Sequence, residues 1–159
     1  MGSFLSCAGI TFADHRKLFS EQYLALPIER VLSDRFHKQI NRFSIAEVGN
    51  LISNQETAGR ILVDMIPLLA WSMGAKYLIC TVTPKVQRMM EACQIVFEPL
   101  IMATPEGLTD RGKKDWGTYY SEQPVTGFIR IDPKRSRFAE LTMKASFHLP
   151  IEESMRAAP

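Results

Sequence analysis

Hydrophobic residues along the chain occur in short runs that polar, Pro- and Gly-containing segments separate. Runs rich in β-branched and apolar residues predict strands, and apolar residues at helical spacing predict helices. Strand-like runs are found at residues 3–11, 42–53, 76–83, 96–103 and 125–132. Helices are predicted at residues 17–24, 28–36, 60–74 and 84–94.

Proline and glycine positions refine these boundaries. Pro84 favours the start of the fourth helix, and Gly74 is a suitable end for the third. Pro67 predicts either a kink in the third helix or the start of a second segment. From residue 42 onward, the order strand–helix–strand–helix–strand predicts a parallel pair joined by a crossover. The fold is therefore predicted to be α/β, with three layers.

The second strand contains residues that strands usually exclude. Gly49 and Asn50 lie in the middle of the segment AEVGNLIS, residues 46–53. Glycine inside a strand marks a bulge or the close approach of a ligand. A bulge leaves backbone N–H groups that can stabilise an oxyanion at a bound carbonyl.

The segment after this strand suggests a phosphate site. The polar loop 54–59 is predicted to lead into a helix that starts near Gly59 and Arg60. Because a helix N-terminus attracts phosphate and arginine adds charge, a phosphate could bind here, beyond a carbonyl held on the strand.

Glu47 precedes Gly49 by two residues, so both positions face one side of the strand. A carboxylate there could accept a proton from an attacking amine, directly or through water. Alternatively, Glu47 pairs with Arg42 or another cation and braces the sheet. Thr81 and Thr83 share a face of the next parallel strand, either as ligand contacts or as ordinary strand residues.

Composition restricts the possible functions. The chain has 159 residues, of which 46% are hydrophobic, and this fits one compact domain. The net charge of +2 gives no field that favours nucleic acid. Three cysteines without disulfide or metal-ligand spacing indicate a reduced, cytoplasmic compartment, and we expect no metal site. No apolar run reaches about 20 residues, so we expect no stable membrane insertion.

Four segments resemble the thermostable hemolysin family. They are LFSEQYLALPIE (18–29), EVGNLIS (47–53), the strand that ends in CTVT (80–83) and WGTYYSEQPVTG (116–127). The resemblance runs from about residue 7 to about residue 131. That family is similar to the GNAT-type acyltransferase fold and, in layout, to acyl-homoserine-lactone synthases.

The resemblance implies a three-layer α-β-α GNAT-like mixed sheet with a V-shaped split between two central parallel strands. These strands match EVGNLIS and KYLICTVT, and the pantetheine arm of a thioester donor would lie between them. No bound cofactor is implied. Together with the patterns above, this makes the following residues candidates for donor binding: Val48, Gly49, Asn50, Leu51, Gly59, Arg60, Thr81 and Thr83.

The resemblance also suggests further site residues. Glu47 is the candidate base or amine anchor, and Tyr119 or Tyr120 would protonate the leaving thiolate or line the acyl channel. The candidates for acceptor binding are Glu21, Gln22 and Trp116.

Two departures from the family pattern affect the expected partners. The segment SNQETAGR (53–60) has one glycine and the acidic Glu56 where acetyl-CoA binders have a Gly-rich loop. An acyl carrier protein, which presents one phosphate, therefore becomes a candidate donor beside acyl-CoA, and basic residues such as Lys113 and Lys114 would suit its acidic surface. The first strand and first helices of the fold have no counterpart before Met1, so a fragment, a truncated product, an oligomer or a partner chain is expected.

Three functions follow from these observations. The first is an N-acyltransferase that moves a fatty-acyl group from a pantetheine thioester to a primary amine of a small acceptor, with the catalytic domain at residues 1–132 and an extension at 133–159. The second is a truncated domain that binds acyl chains or a partner without catalysis. The third is a membrane-active haemolysin. An apolar tunnel that opens at the V would favour the first, and a closed V the second.

Overall fold

The computed structural model describes residues 5–14, 16–108, 116–134 and 140–141. The basic loop residues Lys113 and Lys114, and most of the extension at 133–159, lie outside the described residues.

Five strands and three α-helices form the described fold. The strands are β1 (Ser6–Phe12), β2 (Ile45–Ser53), β3 (Tyr77–Val82), β4 (Phe97–Met102) and β5 (Val125–Arg130). The α-helices are α1 (Ile28–Phe36), α2 (Glu56–Ser72) and α3 (Pro84–Ala92). Short 3-10 helices occupy Phe19–Tyr23, Arg42–Ser44, Pro105–Gly107 and Tyr119–Glu122.

The strands form one mixed sheet in the order β1-β2-β3-β5-β4. β2 and β3 are parallel neighbours, as the strand–helix–strand order predicts. β1 is antiparallel to β2, and β5 runs antiparallel between β3 and β4. The predicted α/β class is confirmed.

Helices cover both faces of the sheet, which gives the predicted three layers. Ile45 packs with Ile28 and Leu32 of α1 in one core. Its neighbour Ala46 packs with Val63 of α2 in the other core, to which α3 also contributes. Successive strand residues point to opposite faces, so one sheet serves both cores.

The predicted start of the third helix is wrong, and one of the two alternatives at Pro67 is excluded. α2 begins at Glu56 rather than near Gly59, and the N–H of Gly59 already donates to the carbonyl of Gln55 at 3.0 Å. α2 also continues through Pro67 as one helix, so Pro67 starts no second segment. Gly59 instead lets α2 approach the end of β2, because an added Cβ would lie 3.0 Å from the side chain of Ser53.

The predicted bulge in β2 is confirmed. The register between β1 and β2 shifts between the pairs Cys7↔Ile52 and Gly9↔Gly49, which leaves one more residue on β2 than on β1. Asn50 lies in the bulge and has a left-handed φ of 52°, a conformation that asparagine tolerates better than most residues.

The parallel pairing of β2 with β3 ends early. The last pair is Glu47↔Ile79, although β2 continues to Ser53 and β3 to Val82. Beyond this pair the two strands separate, and this is the predicted V-shaped split.

Two glycines in the sheet differ in how much space surrounds them. At Gly127 an added Cβ would lie 2.3 Å from the carbonyl oxygen of Glu98 and 2.5 Å from the ring of Phe97, whereas at Gly49 no atom lies within 4 Å. We therefore expect Gly127→Ala to lower the free energy of unfolding by about 3 kcal/mol or more. Gly49→Ala should change it by less than about 1 kcal/mol.

Urea unfolding of both variants measures the difference. Equal losses of stability in the two variants would contradict the described packing of β4 against β5.

Candidate active site

A cavity of about 760 Å³ occupies the split between β2 and β3. It reaches both faces of the sheet, because β3 contributes Thr81 toward one face and Cys80 and Val82 toward the other. Candidate residues from the sequence that line it are Glu47, Val48, Gly49, Asn50, Leu51, Thr81, Thr83, Trp116 and Tyr119.

Glu47 lies at the apex of the split and is 7% exposed. Its two carboxylate oxygens accept hydrogen bonds from the backbone N–H groups of Phe19 and Ser20, each at 2.7 Å. The Ser20 hydroxyl donates a third bond at 2.5 Å. The carboxylate therefore anchors the first 3-10 helix against the sheet.

The alternative pairing of Glu47 with Arg42 is wrong. Arg42 donates to Glu21 at 2.8 Å and forms an ion pair with Glu29 at 2.5 Å. Both of these carboxylates lie beside a separate pocket, which Arg42 also lines.

A chain of hydroxyl groups extends from Glu47 across the split. The Ser20 hydroxyl lies 3.0 Å from the Thr81 hydroxyl, which lies 2.7 Å from that of Thr126. Ser20 and Thr126 are fully buried. Ser20 thus joins the side chains of β2 and β3 just where their backbone pairing ends.

Aromatic side chains form one wall of the cavity. The ring of Trp116 lies 5.6 Å from that of Phe19 and 5.6 Å from that of Tyr119. The Tyr119 hydroxyl donates to the carbonyl of Thr81 at 3.2 Å. Burial, followed by neighbouring groups of which Tyr120 is the foremost, raises the pKa of Tyr119 to about 12.

Cys80 contributes a thiol to the wall on the other face. Burial, with a smaller effect of Glu47, raises the pKa of Cys80 to about 12. Because the thiolate is the nucleophilic form, this cysteine forms part of the wall at neutral pH rather than an acyl acceptor.

The other part of the cavity is an apolar arm between the sheet and the two helices α2 and α3. It reaches Ile129 on β5, which lies beyond β3 in the sheet order. Met90 lines this arm and belongs to the core as well. The remaining lining residues of the arm are Val63, Ile66, Pro67, Val86 and Ile95.

Five candidate residues do not line this cavity. Gly59 and Arg60 lie inside α2. They therefore do not form the helix N-terminus at which the sequence predicts a phosphate site. Tyr120 forms a 2.7 Å hydrogen bond with Tyr23, and the Gln22 amide donates to the carbonyl of Phe19. Glu21 lines the separate pocket.

Glu21 has a structural environment. It accepts backbone N–H bonds from Leu18 at 2.7 Å and Ile28 at 2.9 Å, and two bonds from Arg42. Burial by itself would raise the pKa of Glu21, but the bond from Arg42 and the two backbone bonds more than offset this and lower it. Glu21 therefore ties the first 3-10 helix to α1.

The residues that sequence reasoning missed lie next to those that it named. Ser20 immediately precedes Glu21 in the motif SEQYL. Phe19 and Tyr23 lie two residues before and two residues after Glu21. The orientation of the 3-10 helix about its axis determines which of these side chains faces the sheet. The residue types alone do not indicate this orientation.

The chain belongs to the thermostable hemolysin family, whose model matches residues 1–134. This confirms the resemblance carried by the four motifs. No curated protein is significantly similar to the chain.

The solved structures that align with this chain are distant from it. Crystal structures of TofI, in a ternary complex with an inhibitor and MTA and in an apo form, each align with TM-score 0.46 and 15% identity. Each alignment covers 82% of this chain, and 59% or 62% of the TofI chain. BjaI, a CoA-dependent acyl-homoserine lactone synthase with SAM and isopentyl-CoA, aligns with TM-score 0.41 and 11% identity, over 63% of this chain and 42% of its own. This chain thus spans about three fifths of the length of the TofI chains.

Two features are absent from the described residues. None of their helices combines the length and apolar character needed to cross a bilayer. They also contain no group of three or more His, Cys, Asp or Glu side chains placed to hold a metal ion.

The role of Glu21 predicts a pH-dependent stability. Since the folded-state pKa of Glu21 is below its ordinary value of 4.5, its stabilisation is complete above pH 4.5 and is lost as pH falls through the folded-state value. We expect Glu21→Gln to lower the free energy of unfolding by about 3 kcal/mol at pH 7 and by less in acid.

Urea unfolding at pH 7 and at acid pH tests this expectation. Glu98→Gln, which breaks the more exposed pair with Arg35, is the control and should lose less than about 1 kcal/mol. A difference between wild type and Glu21→Gln that does not change with pH would refute the assignment.

Proposed function

We propose that the protein is an N-acyltransferase that moves an acyl group from a pantetheine thioester to a primary amine. The observation that supports this most is the cavity through the split sheet. It has unpaired strand edges at its centre, one carboxylate at one end and an apolar arm at the other. These are the three environments that an acyl thioester and an amine require.

The pantetheine arm of the donor would lie between β2 and β3. Its amide groups would pair with the strand edges that separate beyond Glu47 and Ile79. Asn50 and Leu51 have no partner in the register of β2 with either β1 or β3. Their N–H groups are the candidates to stabilise the oxyanion on the thioester carbonyl.

The reaction forms a C–N bond and breaks a C–S bond. The amine attacks in its neutral form, after its ammonium group has released one proton to solvent. Its nitrogen bonds to the thioester carbon beside Glu47, and the carboxylate takes the second proton that the nitrogen loses. The tetrahedral intermediate then collapses with loss of the thiolate. Two carboxylate oxygens that accept three hydrogen bonds retain room for an amine donor.

Tyr119 suits a hydrogen-bonding or channel-lining role better than proton donation. A thiol has an ordinary pKa of about 8.5. A phenol whose pKa is raised to about 12 is the weaker acid, so transfer of its proton to the thiolate is unfavourable. The thiolate is a stable leaving group at neutral pH without that proton.

Both donor classes remain in this proposal. A carrier-protein thioester and an acyl-CoA present the same pantetheine arm, and they differ in what lies beyond its phosphate. Because α2 begins at Glu56, an acidic residue occupies its first turn. This favours the donor whose pantetheine arm ends in a single phosphate, which is the acyl carrier protein.

Mass spectrometry of products tests the proposal. Purified protein is mixed with acyl carrier protein thioesters or with acyl-CoAs, and with a panel of primary amines. We expect an acyl-amide from at least one donor, with a rate about 100-fold lower in Glu47→Gln. Gly49→Val, whose added atoms point into open space, should fold but obstruct the donor arm.

Glu91→Gln is the matched control, since Glu91 is an exposed carboxylate on α3. It should react at the wild-type rate. Stoichiometric retention of the thioester without any amide product would instead support the non-catalytic alternative, a domain that binds acyl chains or a partner.

The apolar arm predicts a limit on acyl length. Ile95 is half-buried and lines the arm. We expect Ile95→Phe to shorten the longest acyl group accepted by two or more carbons, because each buried methylene contributes only about 0.8 kcal/mol and a blocked one contributes nothing.

A series of thioesters of increasing length measures the cut-off. Ile101→Phe, at a 44% exposed position on β4 outside the cavity, is the control. An unchanged cut-off in Ile95→Phe would show that the acyl chain lies elsewhere.

A further inference from the structure

We propose that the end of the cavity beside Glu47 binds the acceptor as an organic monocation with an aromatic or similarly bulky apolar body and without a carboxylate of its own. This inference rests on the proposed acyl transfer and specifies the acceptor. It places arylalkylamines above amino acids as substrates.

The first argument is the arrangement of rings around this end. Phe19, Trp116 and Tyr119 form a continuous series with centroid separations of 5.6 Å, and Tyr23 contacts Phe19 at 6.2 Å. All four residues line the cavity together with Glu47. Aromatic faces and one carboxylate attract an ammonium group through cation–π and ionic contacts, and the same faces pack against an apolar body.

The exposure of two of these rings supports the same conclusion. Phe19 is 39% exposed and Trp116 is 38% exposed, although each contacts further rings. Large aromatic side chains that remain accessible at the wall of a cavity are typical of ligand-binding surfaces.

The charges of the described residues disfavour a second anionic group on the acceptor. Glu47 is the one charged side chain among the described residues that line the cavity. Arg42, on the same side of the sheet, forms ion pairs with Glu21 and Glu29 and donates to the carbonyl of Arg16. An acceptor carboxylate would therefore approach Glu47 without a compensating cation from this part of the chain, and such burial is unfavourable.

Calorimetric titration without any acyl donor tests the inference separately from catalysis. Three probes share one aromatic body and differ in charge: 2-phenylethylamine is a cation, 2-phenylethanol is neutral and L-phenylalanine adds a carboxylate. We expect 2-phenylethylamine to bind at least about tenfold more tightly than either of the others, a difference of about 1.4 kcal/mol.

Variants identify which groups give the preference. Glu47→Gln should reduce the preference for 2-phenylethylamine over 2-phenylethanol to less than about threefold, because both then lack an ionic partner. Trp116→Leu should weaken 2-phenylethylamine by about fivefold. Trp71→Leu removes a tryptophan of similar exposure, 42%, outside the cavity and should change the affinity by less than about twofold.

Each contrary outcome overturns the inference. L-phenylalanine binding as tightly as the amine would require a cation at the site, and equal binding of the alcohol would remove the role of the carboxylate. Absence of binding by all three probes up to about 10 mM, in protein whose thermal unfolding is normal, would show that this end is not an acceptor site.

The result is distinguishable from a failure of the proposed function. Selective binding of the amine without acyl transfer from any thioester would retain the cation site and refute the acyltransferase proposal. Acyl transfer to amino acids in preference to arylalkylamines would support the acyltransferase proposal and refute the cation site.

Discussion

The architecture of the site depends on the hydrogen bonds between Glu47 and the first 3-10 helix. A buried carboxylate in a strand requires donors, and here the backbone N–H groups of Phe19 and Ser20 and the Ser20 hydroxyl provide them. These bonds hold the helix over the point where the pairing of β2 with β3 ends. The Ser20 hydroxyl also reaches Thr81, so one small side chain connects both strands. The cavity keeps its shape because this connection replaces the missing backbone pairs.

A second set of polar contacts secures the same helix from its outer side. Glu21 receives bonds from Leu18, Ile28 and Arg42, and Arg42 also pairs with Glu29. Adjacent residues of one 3-10 turn, Ser20 and Glu21, therefore point in different directions, one to the sheet and one to α1. Among the described residues, no buried side-chain nitrogen or oxygen atom lacks a hydrogen-bond partner. The helix is thus held on two sides, and Phe19 and Tyr23 are positioned as part of the cavity wall.

Sequence reasoning predicts the sheet well because strand signals are local. The glycine and asparagine of AEVGNLIS indicate the bulge, and the apolar run 76–83 indicates a buried parallel neighbour. The errors concern how segments meet. Arg42 is near Glu47 in sequence, yet it pairs with Glu21 and Glu29, because partner choice depends on where α1 packs. The sequence does not predict the start of α2 at Glu56, because residues 54–59 are mostly polar. Without apolar residues at helical spacing, the first turn of the helix has no hydrophobic pattern that would indicate it.

The bulge and the early end of pairing have a common physical consequence. The additional residue, Asn50, shifts the alternation of side chains along β2. As a result Val48 and Leu51, three positions apart, both pack toward the core that α2 and α3 cover. A regular strand would have placed Asn50 there instead, and an amide in that core would need a partner. The bulge therefore keeps the side-chain amide of Asn50 exposed and the cavity wall on the side of α2 and α3 apolar. It also turns backbone groups of β2 away from β1. A cavity that is polar at its centre and apolar in its arm follows from this one irregular residue together with the carboxylate three positions before it.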